Sequence, residues 1–375
     1  MRILIHAAGM ARGGGLRHLE GLLSGLAERQ PQDVEVRLVL RQQSGNCAAA
    51  SAPRMPLHEI PERLASPAWS RLPIDNLWVP HLARKHHADV VVSLANFGPI
   101  ALARPHIVFQ TNALFFDRTP FEKRSWRRSL DLRSRGALAS LAIRNASVVV
   151  TPSAWMGDLV RAAVPSAASR IRCLPHAVDA RVPAARRRRG GTFVFLCPGV
   201  GASHKGLDVL VRAVAEMGAG PFRVRALGDD HDWPEGFAAA RELKRRFWLD
   251  DRFEIEPEVP LSEMSRAYGE VDAVVYPTRC ESFGFGLLEA LHAGLPVVAS
   301  DIPVNREIAG DAALYYESDS PTALATAMNR LRNEDGLSDS LVARAQARIS
   351  AARWSWSRYA DEFLALCDSA AREPR

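Results

Sequence analysis

Two glutamates stand on either side of a glycine-rich turn in the second half of the chain. Glu281 and Glu289 are separated by seven residues in ESFGFGLLE, which follows the apolar segment DAVVYPT and opens a helix-period segment. A turn of this kind presents backbone N–H groups at a helix amino terminus, where negative charge is stabilised by about 0.3–1 kcal/mol per group. The chemistry indicated is the binding of an anionic ligand beside two carboxylates. The backbone groups concerned belong to Ser282, Phe283, Gly284, Phe285 and Gly286.

A pair of carboxylates also fits a hydrolytic site or a purely structural role. Glycoside hydrolases use two carboxylates, one as acid and one as nucleophile. The strand-to-helix turn between the two glutamates, and a phosphate-binding turn elsewhere in the same half of the chain, argue against hydrolysis. An acid in the first turns of a helix can also simply offset the helix dipole. Such a structural role accounts for one glutamate better than for two with glycines between them.

A second glycine turn, GVGASHKG at 199–206, also lies between an apolar strand and a helix. It resembles a nucleotide-binding P-loop until its end, where Gly-Lys-Ser or Gly-Lys-Thr is required and Lys205-Gly206-Leu207 stands instead. An ATPase is therefore disfavoured. A lysine at a helix start, with Ser203 and His204 beside it, suits a diphosphate. The alternative is a surface lysine on a turn.

A third turn, GMARGGG at 9–15, follows the first apolar strand and precedes a helix. Gly13, Gly14 and Gly15 would let a phosphate or a sugar approach the helix amino terminus. The segment lacks the G-x-G-x-x-G pattern of dinucleotide-binding folds, and a loose loop is the alternative.

The elements that must position these turns are apolar strands alternating with helix-period segments, which predicts α/β domains with parallel sheets. In the first half, strands are predicted at 3–8, 34–40, 89–94, 106–111, 147–153 and 171–175, with helices at 16–27, at about 121–145 and after Ser153. Residues 41–80 have no clear assignment. In the second half, strands are predicted at 193–199, 222–229, 253–257, 272–278 and 296–300, with helices at 206–217, 236–247, 262–270, 285–293 and 340–366.

The chain of 375 residues exceeds the usual size of a single core, which predicts two domains. The segment HAVDARVPAARRRRGG at 176–191 interrupts the pattern with proline, a run of four arginines and two glycines, so the boundary is predicted there. The predicted domains are 1–180 and 181–355. The WSW sequence at 354–356 supplies apolar area for packing against another element.

Composition excludes several classes of protein. No apolar run reaches the roughly 18 residues that span a bilayer. The apolar segment in the first residues, MRILIHAAG, is too short for a signal peptide, so a cytoplasmic protein is expected. Its five cysteines are far apart, which indicates neither disulfides nor a zinc site.

Charge is unevenly distributed along the chain. Residues 1–180 hold 23 Lys and Arg against 13 Asp and Glu, a balance of +10, whereas residues 181–375 hold 25 against 29, a balance of −4. Much of the excess lies in 117–135, which includes Trp126 and the basic region Lys123–Arg135. A solvated helix face is one interpretation, and attraction to anionic lipid headgroups or a lipid-diphosphate acceptor is another. Nucleic-acid binding is disfavoured because no nucleic-acid module accompanies the charge.

The stretch from Glu281 to Glu317, with its E-x7-E element, is similar to the donor site of the family 4 retaining glycosyltransferases. Weaker similarity covers MRILI with its GGG turn, the HKG turn and the C-terminal WSW helix. The resemblance implies a GT-B fold, in which two Rossmann-like, doubly wound parallel-sheet domains face a cleft. It also implies a donor-binding second domain, an acceptor-side first domain, and a C-terminal helix at 356–375 that crosses back to the first.

The resemblance implies a role for each matching residue. Glu289 would bind the ribose of a nucleotide, while Glu281 would bind the donor sugar and stabilise positive charge at its anomeric carbon. Backbone groups from Phe283 to Gly286 would contact sugar and phosphate. Lys205 would neutralise the diphosphate leaving group, so that neither a metal nor another cofactor is needed.

Two departures from the family pattern matter. Many members carry an arginine ahead of the lysine, which CPGVGASHK lacks, so the second phosphate contact must come from His204, Ser203, a backbone amide or another residue such as Arg279. Many members also carry a histidine near the anomeric centre. Here the corresponding stretch is VFQTNALFF, where Asn112 would orient the donor through its amide.

The expected activity is retaining transfer of a hexosyl-type unit from a nucleoside diphosphate sugar to a glycan or lipid-linked acceptor, as in bacterial polysaccharide, O-antigen or lipid-linked oligosaccharide assembly. The expected location is cytoplasmic, with Lys123–Arg135 as the region that would meet the inner face of a membrane. Two alternatives stay open: a sugar-nucleotide-binding subunit without turnover, and a nucleotide-sugar epimerase of the same fold.

Overall fold

The structure is a computed structural model, and it describes residues 1–10, 13–29, 33–41, 55–60, 71–117, 126–178, 191–199, 202–228, 234–257 and 259–372. The chain divides into two compact units, with boundaries near residue 180 and between Arg353 and Trp354. Of the described residues, the first unit holds 1–117, 126–178 and 354–372, and the second holds 191–199, 202–228, 234–257 and 259–353. Which unit serves the acceptor and which the donor stays a prediction.

The first unit is built on a seven-stranded parallel sheet in the order β3-β2-β1-β4-β5-β6-β7. Every residue of its inner strands β4, β5 and β6 is buried, as expected for parallel strands that are covered on both faces. The strands are β1 Arg2–His6, β2 Glu35–Arg41, β3 Leu57–Ile60, β4 Val90–Ser93, β5 His106–Phe109, β6 Val148–Thr151 and β7 Ile171–Cys173.

Helices connect these strands, and two of them correct the sequence analysis. The first, α1, begins at Gly13 rather than at Leu16, so the glycines form its first turn. Helix α2 begins at Val79, near the end of the stretch 41–80 that the sequence left unassigned, and follows an irregular helical segment that begins at Arg71. The helices are α1 Gly13–Arg29, α2 Val79–Lys85, α3 Trp126–Asn145 and α4 Ala154–Ala163.

The basic region Lys123–Arg135 falls partly outside the described residues, which resume at Trp126 with α3. Within the part of the chain that is described, no helix is both long enough and apolar enough to cross a membrane. Contact of this region with a membrane surface stays a prediction.

The second unit contains a six-stranded parallel sheet in the order β10-β9-β8-β11-β12-β13. Its strands are β8 Phe193–Cys197, β9 Phe222–Leu227, β10 Phe253–Glu256, β11 Ala273–Tyr276, β12 Val297–Ser300 and β13 Ala313–Tyr316. Its helices are α5 Leu207–Glu216, α6 Pro234–Arg246, α7 Leu261–Gly269, α8 Phe285–His292, α9 Pro303–Ala309, α10 Pro321–Asn333 and α11 Leu337–Ala352.

The strand order of the second sheet determines where a ligand can bind. The chain builds outward from β8 in one direction through β9 and β10, and then returns to place β11 on the other side of β8. Ligands of open α/β sheets bind at such a reversal, beyond the carboxyl ends of the strands. The HKG turn follows β8 and the E-x7-E element follows β11, so the fold brings these two turns side by side.

The C-terminal part forms two helices, so the prediction of one helical segment from Ser340 to Leu366 was wrong. Helix α11 ends at Ala352, and Arg353 adopts a left-handed conformation with φ of 51°. A new helix, α12 Trp356–Arg372, then belongs to the first unit. The break at Arg353 thus coincides with the boundary between the two units.

Two glycines of α1 make room for α12. A Cβ atom on Gly21 would overlap the Trp356 ring, and one on Gly25 would overlap the Trp356 backbone carbonyl. The close approach of α12 to α1 also brings the Tyr359 hydroxyl to within 2.6 Å of Nε2 of the buried His18. Burial lowers the pKa of His18 to about 3, so its imidazole is neutral in this contact at neutral pH.

Substituting Gly25 tests this packing. Elsewhere in a helix Gly→Ala stabilises by about 1 kcal/mol, but overlap with Trp356 makes Gly25→Ala destabilising by about 1–3 kcal/mol. Gly269→Ala is the control, because a Cβ atom at Gly269 meets nothing within 4 Å. Urea unfolding should show a lower midpoint for Gly25→Ala than for wild type and for the control. Equal midpoints for all three proteins would show that α12 does not pack closely on α1.

Candidate functional site

An ion pair joins the two turns that the second sheet brings together. Lys205 ends a short 3-10 turn, Ser203–Lys205, and its Nζ donates to Oε1 of Glu281, which follows β11. Both side chains are largely covered, with exposed fractions of 26% for Lys205 and 12% for Glu281. The two residues that the sequence analysis selected for the leaving group and the sugar are therefore in direct contact.

Two hydroxyl groups hold the Glu281 carboxylate in place. The Tyr276 hydroxyl donates to Oε1 at 2.9 Å, and Thr278 Oγ1 lies 3.2 Å from the same oxygen. Tyr276 is the last residue of β11, so the strand itself fixes one of these donors. The carboxylate thus has a single defined position at the end of a buried strand.

The surroundings of Glu281 favour its ionised form. Burial raises the pKa of its carboxyl, but the positive charges of Lys205 and His204 and the hydrogen bonds from Lys205 and Tyr276 outweigh burial, so the pKa is lowered. Burial and the Glu281 charge raise the pKa of Tyr276 well above its usual value. At neutral pH the pair is therefore a carboxylate that accepts from a neutral phenol.

Glu289 occupies the second turn of α8 and is also buried, with 5% of its surface exposed. The hydroxyl of the fully buried Tyr268 donates to its Oε2 at 3.0 Å. Tyr276 feels the charges of both Glu281 and Glu289, which also contribute to its raised pKa. Both glutamates therefore lie close enough to Tyr276 for their charges to act on its hydroxyl.

Glycines shape the two turns because larger residues would not fit. Gly206 has φ of 72°, and a Cβ atom on it would overlap the carbonyl oxygen of Pro277. Gly284 directly precedes α8 and has φ of 101°. A Cβ atom on Gly286 would lie only 3.2 Å from Cγ of Pro198 and 3.3 Å from Cε2 of Tyr276. The backbone of the E-x7-E element can therefore lie directly on Tyr276.

Arg279 is already fully engaged, so it is a poor candidate for the second phosphate contact. Its Nε and Nη2 donate to Oδ1 of Asp319, its Nη1 and Nη2 donate to the two carboxylate oxygens of Asp208, and its Nη1 also donates to the Ser203 carbonyl. These bonds use all five N–H groups of a guanidinium. The Arg279 backbone N–H donates to the His204 carbonyl at 2.7 Å, which ties the strand end to the HKG turn.

The remaining predicted residues divide between the two units. In the second, Phe283 is buried and its ring meets that of Phe285 edge to face, while Ser282 lies between Glu281 and this pair. His204 acts on Glu281 through its charge. The donor-binding roles of these residues stay predictions.

In the first unit, Gly14 and Gly15 lie in the first turn of α1, and Asn112 follows β5. The Asn112 side-chain oxygen accepts from the Leu114 N–H at 3.1 Å and so caps a short 3-10 turn, Ala113–Phe115. Only its NH₂ group then remains as a donor for a ligand. The roles predicted for these three residues stay predictions.

Three residues that hold the site together, Tyr268, Tyr276 and Thr278, were not among the predicted site residues. Tyr276 ends an apolar segment and looks like a core residue, Tyr268 lies in the more polar helix-period segment SEMSRAYGE, and Thr278 looks like a turn residue. A tyrosine at the last position of an otherwise aliphatic strand is a usable signal, because a buried phenol needs a hydrogen-bond partner at the strand end.

Groups of three or more His, Cys, Asp or Glu side chains that could hold a metal ion do not occur among the described residues. The expectation that catalysis needs no metal stays a prediction. Of the charged groups described at this site, Lys205 is the cation that contacts Glu281.

Two doubly wound parallel sheets, with a lysine and a glutamate at the strand reversal of the second, define the GT-B class of fold, as the sequence predicted. Comparison with known families agrees. The family described as "Glycosyltransferase Family 4" matches residues 12–182, and the family described as "Glycosyl transferases group 1" matches residues 192–334. The chain belongs to glycosyltransferase family 4.

Individual relatives match only parts of the chain, at moderate sequence identity. D-inositol 3-phosphate glycosyltransferase 1 of Catenulispora acidiphila is 28% identical over 249 residues, which make up 62% of this chain and 59% of the relative. The O-antigen chain mannosyltransferase RfbU of Salmonella typhimurium is 34% identical over 83 residues, which are 22% of this chain and 24% of the relative. The matched segments thus span less than two thirds of either relative.

Among solved structures, Alr3699/HepE from Anabaena in complex with UDP and glucose superposes with a TM-score of 0.76. The superposition covers 98% of this chain and 100% of the other at 16% identity. At that identity the likeness establishes the fold, and the chemistry must be argued from the residues.

The Gly206 turn gives a stability prediction. Both Gly199 and Gly206 have positive φ, but a Cβ atom at Gly199 meets nothing within 4 Å. Gly199→Ala should therefore cost only the left-handed conformation, about 1–2 kcal/mol. Gly206→Ala adds the overlap with Pro277 and should cost about 3 kcal/mol or more. Urea unfolding measures both variants, and equal losses would contradict the close approach at Gly206.

The lowered pKa of Glu281 gives a prediction on pH. Because folding lowers this pKa below its usual 4.5, the unfolded chain holds the proton more tightly. The stabilisation is complete above about pH 4.5 and is lost as pH falls through the lower folded-state pKa. The free energy of unfolding should fall more steeply below pH 4.5 in wild type than in Glu281→Gln. Glu216→Gln, at an exposed position of α5, is the control; parallel curves for wild type and Glu281→Gln would contradict the assignment.

Proposed function

We propose that this protein is a retaining glycosyltransferase that moves a hexosyl unit from a nucleoside diphosphate sugar to an acceptor hydroxyl. The observation that carries the proposal is the contact between Lys205 and Glu281 at the strand reversal of the second sheet. One cation and one anion in contact suit a donor that separates into a negative diphosphate and a positive sugar carbon. The solved neighbour HepE, whose structure contains UDP and glucose, supports a donor of this class.

Lys205 acts on the leaving group. As the bond between the anomeric carbon and the diphosphate oxygen breaks, negative charge grows on that oxygen, and a fixed ammonium lowers the energy of this state. The first turn of α8, which begins at Phe285, adds the partial positive charge of a helix amino terminus. The same leaving oxygen takes the proton of the acceptor hydroxyl, so no separate base is assigned.

Glu281 acts on the sugar. Its carboxylate is ionised at neutral pH and held by Tyr276 and Thr278, so it can accept from a donor hydroxyl and stabilise positive charge at the anomeric carbon. Glu289 is held separately by Tyr268 and binds the ribose. Each carboxylate is hydrogen-bonded to hydroxyl groups of the protein. This arrangement is expected for two carboxylates that each bind a fixed part of the donor, and less so for a hydrolytic pair in which one acts as acid and the other as nucleophile.

In this proposal, the acceptor is a glycan or lipid-linked intermediate in the assembly of a bacterial surface glycan. One relative is an O-antigen chain mannosyltransferase and another acts on D-inositol 3-phosphate, so relatives use different acceptors. A lipid-linked acceptor would bring the protein to the cytoplasmic face of a membrane, where the basic residues of α3 would meet anionic headgroups.

Donor binding and turnover test the proposal. Purified protein is screened for thermal stabilisation by UDP-, GDP-, ADP- and dTDP-sugars, since a ligand that binds only the folded state raises its stability. With the stabilising donor, wild type should release nucleoside diphosphate, slowly without acceptor. Lys205→Ala and Glu281→Gln should each reduce release by about 100-fold or more. Lys244→Ala, which removes a lysine paired with Asp250, should not.

The outcomes separate the alternatives. Binding of a donor without any release, even with acceptor glycans present, would favour a non-catalytic subunit. Conversion of the free donor into an epimer, without release of nucleoside diphosphate, would favour an epimerase. Equal release by wild type and Lys205→Ala would contradict the role given to the lysine.

A further inference from the structure

Arg279 connects three parts of the second unit around the Lys205–Glu281 pair. It lies two residues before Glu281, and its guanidinium reaches the HKG turn, the start of α5 and the turn after β13. Its side chain is only 6% exposed, whereas those of Asp208 and Asp319 are 43% and 49% exposed. A buried cation therefore holds two carboxylates that water also reaches.

The contacts of Arg279 surround Lys205 in sequence. Ser203 and His204 precede the lysine and give their backbone carbonyls to the Arg279 side chain and backbone, at 2.7 Å each. Asp208 follows it in the first turn of α5 and takes two guanidinium bonds, at 2.9 and 2.8 Å. Hydrogen bonds to Arg279 thus fix the turn that carries Lys205 on both sides of the lysine. Arg279 itself lies two residues before Glu281.

We propose that Arg279 is a positioning residue that sets the place of Lys205 relative to Glu281 and keeps Asp208 and Asp319 neutralised beside the donor diphosphate. This inference rests on the proposed function for its effect on turnover. Its geometric part concerns only the Lys205–Glu281 contact and can be tested without any donor.

Arginine is needed for geometric reasons. A guanidinium has five N–H groups in one plane, and here each has an acceptor. Lysine keeps the charge but has three donors on one atom, so it cannot span Ser203, Asp208 and Asp319 together. Arg279→Lys therefore changes the geometry of the hydrogen-bond donors and keeps the positive charge, whereas Arg279→Gln changes the geometry and removes the charge.

Turnover in two backgrounds tests whether Arg279 acts through Lys205. Arg279→Lys should lower kcat by about 10- to 100-fold, the order expected for displacement of a catalytic group by about 1 Å. In a Lys205→Ala background the same change should lower kcat little further, because residues that act as a unit are not additive. An equal loss in both backgrounds would overturn the proposal, as would full activity of Arg279→Lys.

A second experiment measures whether Arg279 neutralises the carboxylates of Asp208 and Asp319. Arg279→Gln leaves Asp208 and Asp319 without their cation, so the KM for the donor should rise further than in Arg279→Lys. Adding Asp208→Asn and Asp319→Asn to Arg279→Gln should restore KM and leave kcat low. A KM that the added amides do not lower would overturn this part.

Titration of Glu281 gives a readout that needs no donor. The carboxyl is followed by carbon-13 NMR of labelled glutamate, with Glu281→Gln to assign its signal. The charged groups that face it are Lys205 and His204, and the Tyr276 phenol donates to it. If Arg279→Lys moves the lysine away, the pKa of Glu281 rises toward the value found in Lys205→Ala. An unchanged pKa would overturn the positioning role.

Arg225 supplies a matched control. It is a second arginine clamp in the same unit, with two bonds to Glu256 at 2.6 and 2.9 Å and one to Glu270 at 3.2 Å. Arg225→Lys should leave kcat and the Glu281 titration unchanged, and thermal midpoints of both arginine variants show whether each folds. If wild type turns over no nucleotide sugar, the proposed function fails, and the titration still decides the role of Arg279.

Discussion

The second unit depends on one contact, the ion pair that joins the turn after β8 to the turn after β11. Lys205 and Glu281 are 76 residues apart in sequence, and only the reversal of strand order makes them neighbours. Largely covered ion pairs lose much of their hydration, and such a loss is offset only when further hydrogen bonds satisfy the charges. For the carboxylate, Tyr276 provides such a bond, and Thr278 Oγ1 lies 3.2 Å from the same oxygen and from the His204 and Cys280 carbonyl oxygens. The site is therefore a polar network at the end of an otherwise apolar sheet.

This network fixes the charges before a ligand arrives. The pKa of Glu281 is lowered even though burial raises it, so the neighbouring groups keep the carboxyl charged. Under the proposed function, a donor diphosphate would compete with Glu281 for Lys205, and this competition would weaken ground-state binding. Charges that are already in position need little rearrangement when charge separates in the transition state, and this favours rate over tight binding. The Gly206 turn and the Arg279 clamp serve the same end, because both hold the lysine where it is.

The sequence predicts much of this fold because parallel strands buried on both faces are continuous apolar runs, and each predicted run of the second half became a strand. It also selected Lys205 and Glu281, since glycine turns before helices stand out. Other features depend on distant partners. Gly13 begins a helix although glycine is a poor helix former, and Arg353 ends one in a left-handed conformation. The carboxylates that engage Arg279 lie 71 and 40 residues away, and no local pattern marks them.

The arginine that many family members carry ahead of the lysine has no equivalent on this turn, and Arg279 does not replace it. Its five donors are all used within the protein, so binding a phosphate would break contacts that hold Lys205 in place. Under the proposed function, the negative charge of the donor diphosphate that Lys205 does not neutralise would fall on groups without a counter-ion. The first turn of α8 supplies such groups, since helix amino-terminal N–H dipoles attract an anion without a side-chain charge. Gly286 lies in this turn, where an added Cβ atom would lie only 3.2 Å from Cγ of Pro198 and 3.3 Å from Cε2 of Tyr276.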